Sequence, residues 1–170
     1  MKRRVVVLAI LGLVMLFGMV GCGNAQKETE TSVASKVYAL KHGYLENREA
    51  DHALIHAMGI DSYGKYTMET TTDMQPYTLD IRFMYLYDNV DLEKMQKLMT
   101  DSGIVLMALI DNCELVTWKY PTDEGIVNGA IGIDYANEIM GVNLKEVGKD
   151  EATFTTLYEG LFPEKAKKAE

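Results

Sequence analysis

Tyr77-Thr78-Leu79-Asp80-Ile81-Arg82-Phe83-Met84-Tyr85-Leu86-Tyr87 alternates large apolar residues with Thr78, Asp80 and Arg82. A period of two over that length predicts a strand with one buried face, because successive side chains of extended chain point to opposite sides. Just upstream, Lys65-Tyr66-Thr67-Met68-Glu69-Thr70 alternates in the same way. Thr71 to Pro76 joins the two runs, which predicts an antiparallel hairpin with a six-residue loop. Five aromatics on this pair predict that one face packs against helices.

Downstream, Asp91 opens a helix with Leu92, Met95 and Met99 on one side, and Asp101-Ser102-Gly103 interrupts or recaps it. Ile104 to Ile110 is apolar throughout, and periodicity alone does not separate a buried helix from a buried strand there. Its Met, Ala and Leu content, continuous with a helical segment, favours helix and places the run at the centre of the core. Glu114 to Tyr120 alternates and stops at Pro121, which lacks a ladder donor. Thr122 to Gly125 reads as a turn and Ile126 to Ile133 as the returning strand. Asp134 caps a short helix ending at Gly141, and Asp150 caps a final one with Phe154, Leu157, Tyr158 and Leu161 buried. Before the hairpin, Asn47 caps a helix whose stripe is Ala50, Ala53, Leu54, Ala57 and Met58, closed by Gly59. The order predicts an α+β fold: a mostly antiparallel sheet of about four strands in two hairpins, packed against three to five helices.

The N-terminus has a different logic. Met1-Lys2-Arg3-Arg4 is followed by an unbroken apolar stretch, Val5 to Val20. As helix it would span about 24 Å, short of the roughly 30 Å hydrocarbon core. This is the pattern of a signal peptide. It ends in Met19-Val20-Gly21-Cys22, which resembles the lipobox of bacterial lipoproteins. The resemblance implies that residues 1–21 are removed, that the Cys22 thiol carries lipid, and that the domain sits on the extracytoplasmic face of the cell membrane. Residues 22–36 then form a polar tether of small residues, 37–162 the single domain, and 163–170 a charged, frayed tail.

Loss of Lys2, Arg3 and Arg4 from 17 basic residues leaves 14 against 25 acidic ones, a formal charge of −11. Such a surface repels nucleic acid, and there is no basic patch with interleaved aromatics. Membrane association is therefore assigned to the lipid. With Cys22 lipidated, Cys113 is the remaining thiol, so no internal disulfide forms. Cys113 has carboxylates for neighbours and reads as a small buried hydrophobe.

Tyr66-Thr67-Met68-Glu69-Thr70, then Gln75-Pro76-Tyr77-Thr78-Leu79, then Met107-Ala108-Leu109-Ile110-Asp111-Asn112-Cys113-Glu114-Leu115-Val116-Thr117-Trp118 resemble the domain-of-unknown-function 4825 family. The resemblance spans Val37 to Phe162. Thr78 stands where glycine is common in the family and Cys113 where an aliphatic residue is usual. It implies a lipoprotein of the Gram-positive envelope and, since some members are fused to membrane metallopeptidases of the antibiotic-sensor type, a sensing or protein-contact role. A membrane sensor or metallopeptidase is the implied partner, and no catalytic residues come with the resemblance.

His52 and His56 lie four apart on the first predicted helix, a spacing that suits two ligands on one metal. They fall on its polar face, and Ala53 stands where the metalloprotease motif needs glutamate, which favours a solvated face. Phosphate-binding glycine loops and nucleophile elbows are absent from the sequence. Asp111-Asn112 interrupts an apolar segment just before a strand: helix termination is its first reading, a recognition point its second. The functional expectation is a lipid-anchored binding or sensor module without catalysis and without a cofactor. The alternatives are a metal-assisted hydrolase using His52 and His56, and a structural accessory subunit of a membrane complex.

Overall fold

The computed structural model describes residues 31–166. The expected signal peptide, the lipidated Cys22, the tether up to residue 30 and the last four residues of the expected 163–170 tail lie outside the described residues. Among the described residues no helix is long and apolar enough to cross a membrane.

Helix α1, Val33–Tyr38, is capped by the Ser32 hydroxyl and lays Ala34 and Val37 against a later helix. The fold thus begins inside the stretch expected to be tether. Two small apolar residues three apart suffice to dock a turn but make no amphipathic signal. Helix α2, Arg48–Ala57, is capped by Asn47 as expected, and Gly59 beyond it takes the left-handed φ of 74°. Its buried side is Asp51, Leu54, Ile55 and Met58, rotated from the predicted alanine stripe. Ile55 hides more apolar area than the three alanines, which lie half-buried on the flank.

After a 3₁₀ turn at Ile60–Tyr63, β1 (Gly64–Thr71) and β2 (Thr78–Leu86) form the expected antiparallel hairpin, with a register irregularity between Lys65 and Tyr66. Leu79, Ile81 and Phe83 are buried against the helices while Asp80 and Arg82 face outward, where Arg82 pairs with Glu69 and Asp80. The alternation outruns the core: Tyr85 and Tyr87 are each 49% exposed.

Helix α3, Leu92–Leu109, runs eighteen residues without a break. Asp101-Ser102-Gly103 does not interrupt it, contrary to expectation. Lys97, one turn earlier, holds the Asp101 carboxylate. Gly103 is where helix and sheet touch: a Cβ there would sit 2.5 Å from Ile131 Cγ2, so a larger residue would have to displace the Ile131 side chain. Ile104 to Ile110 is fully buried, as predicted.

Strands β3 (Leu115–Thr122) and β4 (Gly125–Gly132) make the second hairpin. The sheet order is β1-β2-β3-β4, with β2 and β3 parallel and joined through α3. The predicted stop at Pro121 is wrong by one residue, because β3 continues to Thr122. Pairing with β2 ends at Lys119, so the missing Pro121 N–H faces no strand. Helix α4 (Ile133–Met140) starts one residue before Asp134, which sits in its first turn rather than at the cap. Helices α5 (Leu144–Val147), α6 (Glu151–Leu161, capped by Asp150) and α7 (Pro163–Ala166) follow, and the stretch expected to fray from 163 is helical to Ala166, with Lys165 donating to the Met58 carbonyl. Seven helices therefore stand among the described residues; α1, α5 and α7, too short to show a period, account for the excess over the predicted number. The whole is an α+β fold with a mostly antiparallel sheet and helices on one face.

Candidate functional site

Two loops close over the C-terminal end of α3. The His42 N–H donates to the Leu109 carbonyl and the Asp111 N–H to the His42 carbonyl, each at 3.1 Å, forming a short parallel bridge between residues 42 and 110. Asn112 accepts the Leu45 N–H through Oδ1 at 3.0 Å, which pins the first loop to the second. From α5, the Lys145 ammonium donates to the carbonyls of Met107, Ile110 and Cys113 at 2.6, 2.8 and 2.8 Å. A helix leaves its last carbonyls unsatisfied and ends with partial negative charge, and a cation with three donors answers both. Burial lowers the Lys145 pKa, and the neighbouring Cys113, Asp111 and Glu114 pull against that fall.

Below the loops lies a buried pair. His42 Nε2 is 2.8 Å from Asp51 Oδ1, and Asp51 is 0% exposed. His42 Nδ1 is 3.0 Å from the Leu40 carbonyl, an acceptor only, so Nδ1 carries a proton. One further proton is then shared between Nε2 and Oδ1, and the pair is neutral overall on either side of that transfer. Burial pushes the Asp51 pKa up, and the hydrogen bond and charge of His42 partly offset it. Both ring nitrogens are committed to protein partners, so His42 has no lone pair left for a metal or a substrate proton. The second carboxylate oxygen, Oδ2, is buried without a hydrogen-bond partner among the described residues.

Cys113 is buried, and its thiol is pushed up to about 12 chiefly by burial, with Lys145 opposing. A thiol in that range is protonated at neutral pH and is not a nucleophile. Asp111 and Asn112 divide their work: Asn112 is a loop clamp, while the Asp111 side chain is 63% exposed and 3.7 Å from Lys41 Nζ. His52 and His56 are exposed and turn to separate partners. The first has Nδ1 3.3 Å from the Tyr66 hydroxyl, and the second 2.6 Å from Asp61 Oδ2. Among the described residues no three His, Cys, Asp or Glu side chains come together to hold a metal.

Sequence reasoning missed His42, Asp51 and Lys145. Asp51 left one signal, a carboxylate three residues before Leu54 and four before Ile55 on the buried side of its helix. His42 and Lys145 left none, because their partners are backbone carbonyls and residues distant in the chain.

The opposite end of the sheet is open. Tyr85, Tyr87 and Leu92 line a shallow groove with Pro121 and Asp123, and Met84 and Ile126 are exposed nearby. Tyr85 and Tyr87 meet edge-on, their rings 6.1 Å apart.

A family model described as a domain of unknown function, DUF4825, matches residues 37–134. The match takes in α2, the whole sheet and α3, and stops at Asp134, short of the Phe162 limit expected from the sequence. No curated protein and no solved structure matches the chain. With more than half its length matched, the chain belongs to the DUF4825 family.

Proposed function

We propose that this chain is a binding or sensor module of a bacterial cell envelope, held by lipid on Cys22 at the extracytoplasmic face of the membrane, and that it works through contact rather than catalysis. The observation that carries the reading is the exposed aromatic and aliphatic end formed by Met84, Tyr85, Tyr87 and Leu92. Tyrosine combines a large rigid apolar face with a hydrogen-bonding tip, the chemistry that protein contact surfaces favour. The polar end, in contrast, spends its side chains on backbone groups and on one another. A membrane-bound sensor or metallopeptidase is the proposed kind of partner, and the lipid anchor is the proposed membrane contact.

Two measurements test this. Membrane fractionation should find the wild type bound and Cys22→Ala released; an equally bound variant would contradict the lipid anchor. Affinity capture of the full chain from solubilised native membranes should retain an envelope protein that a Tyr85→Ser, Tyr87→Ser variant loses. Capture unchanged by that double substitution would contradict the assigned surface. Stoichiometric metal on the wild type, lost from His52→Ala, His56→Ala, would favour the hydrolase alternative instead.

A further inference from the structure

The two edges of the sheet are built differently. Edge strand β1 carries Lys65 and Glu69 and a register irregularity, devices that discourage another strand from pairing there. Edge strand β4 reads Gly125-Ile126-Val127-Asn128-Gly129-Ala130-Ile131-Gly132, with no charge and no proline. The Ile133 N–H bonds to the Glu114 carbonyl, and β4 pairs with β3 in continuous register. Antiparallel alternation then turns the N–H and C=O groups of Ile126, Asn128, Ala130 and Gly132 outward. Among the described residues none of these groups bonds to any element beyond the sheet. Ile126 is 69% exposed, and the helix leaving the strand shows Tyr135 and Ile139, one turn apart, to solvent.

We propose that β4 pairs antiparallel with β4 of a second copy of this chain, joining two sheets into one across a twofold axis. The strand is self-complementary. In the two longest registers that match outward groups to outward groups, Ile126 lies opposite Ala130 or opposite Gly132 of the other copy, large against small on the open face. The first of these sets Asn128 against Asn128, two amides able to bond to each other. No like charges oppose one another within the strand pair. The net charge of −8 per chain works against association, so salt strengthens the dimer by screening it. This inference does not depend on the lipid anchor or on the aromatic end.

The test is a pair of engineered-cysteine probes in the full chain, oxidised in intact cells. Opposed residues of a hydrogen-bonded antiparallel pair lie about 5.5 Å apart at Cα, within disulfide reach. Asn128→Cys in the first register, or Asn128→Cys with Ala130→Cys in the second, should give a reducible dimer of this chain, and Lys65→Cys on the other edge should give no more than wild type. Sedimentation of the purified full chain should show a salt-strengthened dimer, weakened about tenfold by Ala130→Lys, which sets a charge in the joint. A wild type monomeric at every concentration, equal cross-linking from both probes, or an Asn128→Cys cross-link to a different protein would each overturn the proposal.

Discussion

The two ends of α3 are opposite in character. From Asp101 to Ile110 every residue is buried, and the carbonyls that follow are capped by Lys145 beneath loops pinned by Asn112 and His42. From Leu92 to Thr100 only Met95 and Met99 are buried, and the helix begins beside exposed tyrosines. The same helix anchors the core at one end and supports an open surface at the other. At the buried end Asn112, His42 and Lys145 are spent on backbone groups and on Asp51; the exposed end turns large apolar side chains to solvent. The difference warns against equating a cluster of polar residues with a site of chemistry.

Truncation should break the symmetry most sharply. Leu109→Ala is expected to cost about 2–5 kcal/mol in denaturant unfolding, the range for a buried leucine that leaves a cavity. Leu92→Ala, at the other end, should stay within about 0.5 kcal/mol. Equal costs would erase the contrast. Next in size is His42→Ala, which strips Asp51 Oδ1 of its partner and should cost about 1–3 kcal/mol. Burial holds the Asp51 pKa above its ordinary 3.8, and without His42 it rises further. A raised carboxyl favours folding most below its unfolded value, so the variant should lose stability as pH climbs through the folded value. A variant whose stability instead improves over that range would show that Asp51 stays charged.

The thiol sharpens the same point at alkaline pH. Burial pushes the Cys113 thiol up from its ordinary 9.0 to about 12, so its contribution to stability is full below 9 and fades as pH rises toward 12. The stability gap between wild type and Cys113→Ala should therefore narrow by about 2 kcal/mol between pH 8 and pH 10.5. A gap independent of pH would mean that the thiol is open to solvent. The smallest effect belongs to the exposed imidazoles: His52→Ala with His56→Ala should shift stability by less than about 0.5 kcal/mol in the same unfolding assay.

Much of this fold was legible because long periodic runs announce themselves. The alternation of Thr78–Leu86 placed a strand to within a residue or two, and Asn47, Asp91 and Asp150 marked helix starts by capping chemistry. What escaped was set by tertiary contact. Asp101-Ser102-Gly103 reads as a breaker in isolation, yet Gly103 is the price of close approach to Ile131, and the packing that follows carries the helix through. The parallel pairing of β2 with β3 left no local mark, since it depends on where α3 returns the chain. The polar cluster was half visible: Asp111-Asn112 stood out against apolar neighbours, while His42, Asp51 and Lys145 meet only when distant segments fold together.

The most direct test sets the two ends against each other in living cells. A photoreactive residue is placed at Tyr87 in one full-length variant and at Asp111, also exposed, in another, and both are irradiated in native membranes. Contact through the open end predicts a specific protein adduct from position 87 and none from position 111. An adduct from position 111 with position 87 silent would contradict it, and would move the binding surface to the loops over the C-terminal end of α3.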